Sequence, residues 1–175
     1  MATYLGASNR LNASDIKDDL IARSEITYAE GYLFDLPLAK ESIRKVVNFT
    51  HEHDSMVALS RLGSFCVTRH RRDFLDLVTS GVDVILANET EILSLFQFDH
   101  RGAALEPLDE IGVLAVVTRG PRGADVATVS SVVSVPTMDV EEGADQNGAG
   151  DMFASDFLYG PALGASRNRP RSTRN

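Results

Sequence analysis

The fold is decided by the stretch Val82-Asp83-Val84-Ile85-Leu86-Ala87-Asn88-Glu89-Thr90-Glu91, in which an apolar run passes directly into the start of a helix. Residues 82–87 are typical of a buried strand, and residues 89–96 continue with the apolar spacing of a helix. Asn88 is a favourable N-cap, and Glu91 stands three residues later, where a capping box requires an acidic side chain. The stretch therefore predicts a strand followed directly by a helix.

Similar strand and helix segments lie on both sides of this stretch. Strands are predicted at residues 25–33, 56–59 and 113–118. Two more helices are predicted, one beginning at Ala39 and one that contains Phe74 and ends near Gly81. Because strands and helices alternate and residues 113–118 are dense in β-branched side chains, we expect an α/β fold with three layers. Its sheet would be mainly parallel, with helices on both faces and right-handed crossovers.

The pattern changes in the last third of the chain. Residues 124–128 and 131–135 read as two strands with a tight link, which predicts a hairpin at the edge of the sheet. A last helix is predicted from about Ala149 to the Gly160-Pro161 pair.

A basic tail follows this helix. Residues 161–175 contain four arginines, two prolines and no acidic residue, so they cannot bury an apolar face. We therefore expect one partial domain over residues 1–160 and a basic, disordered tail over residues 161–175.

Composition and charge narrow the classes of function. The chain of 175 residues is 43% apolar and 24% charged, as in ordinary globular domains. Its net charge of −8 argues against nucleic acid and anionic membranes as partners, because both attract a positive field. No apolar run approaches a bilayer span and no secretory signal begins the sequence, so a cytoplasmic protein is expected. Cys66 is the only cysteine, which excludes an intramolecular disulfide and predicts a buried structural thiol.

The most informative motif is Asp145-Gln146-Asn147-Gly148-Ala149-Gly150-Asp151-Met152-Phe153, a turn of small residues that opens a helix. Glycines let the backbone approach a ligand, and the first turn of a helix presents N–H groups that bind anions. Phosphoryl transfer to an alcohol needs such a site and a carboxylate near the attacking hydroxyl, a role that Asp151 could fill. The structural alternative is a glycine-rich turn whose aspartate only favours the helix dipole.

This motif resembles the signature of the pfkB, or ribokinase-like, carbohydrate kinases, which reads Asp-Thr-x-Gly-Ala-Gly-Asp followed by x-Phe. Five residues match it at every spacing: Gly148, Ala149, Gly150, Asp151 and Phe153. Asp145 matches the leading aspartate, whereas Gln146 replaces the usual threonine. The resemblance implies that Asp151 is the catalytic base and that Gly148, Ala149 and Gly150 form the catalytic turn, with both glycines also contacting ATP.

Two further elements resemble the same family. Asn88-Glu89-Thr90-Glu91 matches its Asn-x-x-Glu motif, which implies that Asn88 contacts the nucleotide and that Glu91 acts on Mg²⁺, directly or through water. Thr118, Gly120 and Gly123 match its Thr-x-Gly-x-x-Gly element, which lies against the nucleotide. Capping alone would explain the first element, and a simple turn would explain the second. The resemblance implies ATP and Mg²⁺ as cofactors, at the carboxyl ends of the strands.

Upstream segments resemble the adenosine-kinase-like branch of the family. They are residues 3–7, 30–33 and 65–67, together with Arg69 and Phe74. The sequence departs from the branch at residues 60–64, where an aspartate more usually follows the serine. Packing is the expected role of four aromatic residues: Tyr4, Tyr28, Phe65 and Phe74.

The four histidines are not spaced as a metal site. His51 and His53 are two residues apart, so on a helix they point in different directions. His70 and His100 stand alone in the sequence. We therefore expect solvated or packed histidines.

The resemblance implies a truncated ribokinase-like fold that lacks the amino-terminal portion and the final helices of the family. It implies an ATP-dependent kinase with a small-molecule sugar or nucleoside as acceptor, and weak or no activity for a chain of this extent. The alternative is a non-catalytic α/β module that binds a nucleotide or another protein chain. A Rossmann-type oxidoreductase is disfavoured, because no Gly-x-Gly-x-x-Gly follows the first strand. The identity of the acceptor and the existence of a homo-oligomer are left open.

Overall fold

The computed structural model describes residues 6–60, 62–138 and 148–160. By compactness the chain divides into two units, Met1–Met138 and Asp139–Asn175, and each is described by itself. The predicted tail, residues 161–175, lies outside the described residues. Among the described residues, no helix combines the length and the apolar character that crossing a bilayer demands.

The first unit contains six strands and five helices in the described residues. The strands are β1 Ile26–Glu30, β2 Met56–Ser60, β3 Val84–Asn88, β4 Leu114–Thr118, β5 Ala124–Thr128 and β6 Ser131–Val135. The helices are α1 Asp18–Ala22, α2 Pro37–Glu52, α3 Ser64–Gly81, α4 Glu89–Phe96 and α5 Arg101–Ile111. Short 3-10 turns occupy Gly6–Arg10, Gly31–Asp35 and Gly120–Arg122. The described part of the second unit is helix α6, Ala149–Gly160.

The strands form one sheet in the order β1-β2-β3-β4-β5-β6. The first four strands are parallel, and β5 and β6 continue the sheet as an antiparallel hairpin. The predicted α/β class, the mainly parallel sheet and the hairpin are therefore confirmed. Because parallel strands end together, Glu30, Ser60, Asn88 and Thr118 all lie at one border of the sheet, called here the carboxyl edge.

Both faces of the central strands are buried. Val57, Leu59, Ile85, Ala87, Ala115 and Val117 belong to one hydrophobic core with the apolar sides of α2 to α5. Residues that alternate with them along the strands are buried as well: Ala58, Val84, Leu86 and Val116. This double burial explains why the strands read as nearly continuous apolar runs in the sequence.

Some local predictions were wrong in ways that the structure explains. Helix α5 was not predicted, because it contains Gly102 and Pro107, which usually mark the ends of helices. Helix α2 begins at Pro37 rather than at Ala39, since proline is tolerated in the first turn. Phe74 packs as expected, with its ring 4.4 Å from that of Phe34. Phe65 does not, because 81% of it is exposed.

Cys66 is the buried thiol that the sequence predicted. It is 4% exposed, and its Sγ lies 3.5 Å from the carbonyl oxygen of Gly31. Burial, helped by the nearby negative charge of Asp35, raises the pKa of this thiol from 9.0 to about 11. A thiol with this pKa is protonated and unreactive at neutral pH.

We expect the Cys66 thiol to make stability depend on pH. In the unfolded chain the thiol ionises near pH 9.0, whereas in the folded chain its pKa is about 11. The stabilising contribution is therefore complete below about pH 9 and is lost as the pH rises through about 11. Urea unfolding of the wild type and of Cys66→Ala over this range would measure it. Only the wild type should lose this contribution, so the two proteins should differ in how the free energy of unfolding changes with pH. The same change with pH in both would contradict the expectation.

We expect Gly31→Ala to destabilise the first unit. An added Cβ would lie 2.8 Å from Leu62 Cα and 2.9 Å from Phe74 Cε1, and both belong to the packed core. The free energy of unfolding should fall by about 1–3 kcal/mol, measured by urea unfolding. Gly102→Ala is the matched control, because its Cβ would meet only His100, at 3.6 Å. A control as unstable as Gly31→Ala would show that the clash is not the cause.

Candidate active site

Asn88 and Thr118 come together at the carboxyl edge. Strands β3 and β4 pair in parallel with Asn88 directly opposite Thr118. Two of the residues predicted to contact the nucleotide, which are thirty positions apart in the sequence, therefore stand side by side. The sheet register produces this neighbourhood, since each residue is the last of its strand.

Glu91 connects the junction of β3 and α4 to the loop after β2 through its carboxylate. Its Oε2 accepts the backbone N–H of Asn88 at 3.0 Å, and Asn88 Oδ1 accepts that of Glu91 at 2.9 Å, which completes the predicted capping box. Its Oε1 accepts the N–H of Gly63, in the loop after β2, at 2.8 Å. Glu91 is 8% exposed.

The carboxylate of Glu91 keeps capacity for a cation. A carboxylate offers about four acceptor positions, and the two backbone N–H groups use only part of them. Hard cations such as Mg²⁺ prefer carboxylate and water oxygens. The residue fits the predicted magnesium role, most simply through a bridging water, because its burial restricts direct approach.

The turn after β4 contains two glycines, one beside open space and one packed against β6. Gly120 has φ +58°, and an added Cβ would meet no described atom within 4 Å. Gly123 has φ +88°, and its Cβ would lie 1.9 Å from the carbonyl oxygen of Val135. Gly120 therefore leaves room for a ligand to approach the backbone, whereas packing against β6 already requires a glycine at 123.

Two ion pairs hold this turn. Arg122 pairs with Glu89, the first residue of α4, which links the turn to the start of that helix. Arg119 Nη2 lies 3.2 Å from Oδ1 of Asp125, a fully buried carboxylate. The hydroxyl of Ser134 donates to the same oxygen at 2.7 Å. The sequence pattern does not indicate these pairs, because their partners meet only through the hairpin and the β3–β4 register.

An open cavity of about 490 Å³ lies at the carboxyl end of β1. Its lining includes the polar side chains of Arg10, Asn12, Asp15, Glu30 and Tyr32. The Tyr32 hydroxyl donates to Glu30 Oε2 at 2.6 Å, and the Asn12 amide donates to Asp15 Oδ2 at 2.7 Å. This mixture of donors and acceptors suits a ligand with several hydroxyl groups. The cavity was not predicted, although the polar residues beyond the end of a predicted strand were a signal for it.

In the second unit, the motif residues stand at the start of α6, as predicted. Gly148 has φ +76°, and its carbonyl accepts the N–H of Met152 at 2.9 Å, which begins the helix. Added Cβ atoms at Gly148 and Gly150 would meet no described atom within 4 Å. Ala149 and the exposed Asp151 lie in the first turn. This arrangement suits an anion, while residues 145–147 lie outside the described part of the chain.

Comparisons with known proteins agree with these motifs. The profile of the pfkB family carbohydrate kinases matches residues 1–169. The adenosine kinase of Schizosaccharomyces pombe is 25% identical over 178 residues, which cover 90% of this chain and 51% of that protein.

Solved structures share the fold. The adenosine kinase from Sinorhizobium meliloti is 41% identical and superposes with a TM-score of 0.88, over 93% of this chain and 50% of that one. An E. coli protein described as ribokinase II, in complex with ATP and Mg²⁺, is 22% identical with a TM-score of 0.80. That match covers 90% of this chain and 52% of the other. The chain spans about half the length of these relatives.

We expect Glu91→Gln to weaken the carboxyl edge. One acceptor oxygen would become an NH₂ group that faces a backbone N–H, so a buried hydrogen bond would be lost. The free energy of unfolding should fall by about 1–3 kcal/mol in urea unfolding. Glu106→Gln, at an exposed position of α5, is the control and should change it by less than about 0.5 kcal/mol. Equal stability of the two variants would contradict the anchoring role.

Proposed function

The chain belongs to the pfkB family of carbohydrate kinases, and on that premise we propose that it serves phosphate transfer from ATP to a hydroxyl of a sugar or nucleoside. The observation that carries the proposal is the meeting of Asn88 and Thr118 at the carboxyl edge, with Glu91 fixed beside them. Residues from two separate family motifs thereby form one surface. Ligand sites of α/β sheets gather at this edge.

The nucleotide would lie on this surface. Asn88 and Thr118 offer polar side chains, and the turn at Gly120 leaves its backbone open to a phosphate or ribose. Gly123 would contribute mainly by shaping the turn, since β6 packs against it. The E. coli structure in complex with ATP and Mg²⁺ supports this choice of cofactors. ATP supplies the transferred phosphoryl group, and Mg²⁺ offsets its charge, with Glu91 as the residue that would hold the ion through water.

Asp151 is proposed as the base. Its carboxylate would accept the proton of the attacking hydroxyl as the new O–P bond forms. The N–H groups of the turn Gly148-Ala149-Gly150 would stabilise negative charge on the transferred phosphate, because they open helix α6. Both roles need groups that are already oriented, which the start of a helix provides.

The acceptor would bind in the cavity at the end of β1. Glu30 and Asp15 can accept hydrogen bonds from hydroxyl groups, and Arg10 can donate them. The adenosine kinases among the relatives make adenosine the first acceptor to test, followed by ribose. We further propose that the reaction takes place in the cytoplasm, an expectation that rests on the sequence.

Phosphate transfer from ATP tests the proposal. We expect slow transfer to adenosine or ribose, because the chain spans about half the length of its relatives and positioning supplies much of catalysis. Asp151→Asn should reduce the rate by about 10²-fold or more, by removal of the base. Asp156→Asn, an exposed position on the same helix, is the control and should leave the rate unchanged.

Two results would change the proposal. If the wild type transfers phosphate, equal rates for the two variants would remove Asp151 from the base role. Thermal stabilisation by ATP with Mg²⁺, without transfer to any acceptor, would instead identify a nucleotide-binding module.

A further inference from the structure

Three side chains with metal-binding atoms meet beside helix α3. They are Asp35, at the end of the 3-10 turn after β1, and Cys66 and His70, on α3. One oxygen, sulfur or nitrogen atom from each lies within 4.8 Å of the other two. None of these residues takes part in the phosphate-transfer site described above.

The local structure brings these atoms together. Cys66 and His70 are four positions apart, so they share one face of the helix. His70 is also the point where α3 departs from helical geometry, with φ −121° and ψ 26°. Asp35 reaches the same face from another element, and its Oδ1 lies 3.0 Å from His70 Nε2.

We propose that Asp35, Cys66 and His70 bind a divalent transition metal ion, for which Zn²⁺ is the best fit. A thiolate, an imidazole and a carboxylate are the ligands that Zn²⁺ prefers, and three protein ligands leave a fourth position for water. Ligands at Zn²⁺ distances lie about 3.5 Å apart, so side-chain movements on the order of 1 Å complete the site. Asp35 and His70 are partly exposed, which gives the ion a path from solvent.

Arg69 can stay bonded to Asp35 when the ion binds, whereas the hydrogen bond between His70 Nε2 and Asp35 Oδ1 is lost, because both atoms turn to the metal. Arg69 Nε lies 3.1 Å from Oδ1, and Arg69 Nη2 contacts Oδ2. These bonds hold the pKa of the Asp35 carboxyl below its usual range, so the group is ionised at neutral pH. When Oδ1 turns to the metal, Oδ2 keeps Arg69, and carboxylate ligands of metals commonly have such a partner.

Binding exchanges protons for the ion. The Cys66 thiol releases its proton to solvent and binds as thiolate. His70 binds through the Nε2 lone pair, so that its one ring proton resides on Nδ1. Lys40 Nζ, 3.4 Å from Nδ1, opposes this state by its charge, and it is held there by Asp73 at 2.6 Å. Removing the charge of Lys40 should therefore strengthen binding.

Titration of the purified chain with Co²⁺, which replaces Zn²⁺ and absorbs light, tests the proposal. We expect one ion per chain, a thiolate-to-cobalt charge-transfer band, and displacement by Zn²⁺. Cys66→Ser should abolish the band, and His70→Asn should weaken Co²⁺ binding by roughly 10-fold or more. Lys40→Met should strengthen it. His53→Ala, an exposed histidine at the end of α2, should change nothing.

The proposal fails if wild-type protein gives no charge-transfer band, or if His70→Asn binds Co²⁺ as tightly as His53→Ala. Circular dichroism and metal-free melting of each variant separate loss of binding from loss of folding. If Cys66→Ser does not fold, the partly exposed positions of His70 and Asp35, tested as His70→Asn and Asp35→Asn, still decide the outcome.

Discussion

The carboxylate of Glu91 is the contact on which the carboxyl edge depends. It accepts backbone N–H groups from Asn88, at the start of its own helix, and from Gly63, in the neighbouring loop. Parallel strands bring their ends to one edge, but they do not fix the loops that leave it. The buried carboxylate shared by the β3–α4 junction and the loop after β2 does so, because losing either bond would leave a polar group unpaired in the core. The capping box of α4 therefore also fixes the backbone of the proposed nucleotide surface.

The turn after β4 is stabilised by a buried ion pair. Asp125 is fully buried on β5. Its carboxylate contacts Arg119, from the turn after β4, and accepts a hydrogen bond from Ser134 on β6. Burying a carboxylate is costly unless it is paired, so the hairpin has little freedom to shift its register. The antiparallel end of the sheet thus acts as a support for the turn that includes Gly120.

Local signals in the sequence predicted local structure well. The cap at Asn88 and the helix start at Glu89 were predicted to the residue, whereas the strand is Val84–Asn88 rather than residues 82–87. Helix α5 was not predicted, since Gly102 and Pro107 lower helix propensity. Packing of its apolar side chains into the core stabilises the helix instead. The pattern Thr-x-Gly-x-x-Gly could not separate Gly120, which faces open space, from Gly123, which packs against β6. Tertiary contacts such as that between Asp35 and His70 cannot be predicted from the spacing of residues in the sequence.

Cys66 is a natural probe of local opening in the folded chain. It is the single thiol, and it is enclosed between α3 and the 3-10 turn after β1. A bulky thiol reagent, unlike a single metal ion, reaches this sulfur when the two elements separate, so the rate of modification reports how often they separate in the folded protein. The frequency of that opening can thus be measured without introducing a label. A change in this frequency when nucleotide is added would show that the carboxyl edge is coupled to the contact between α3 and the 3-10 turn.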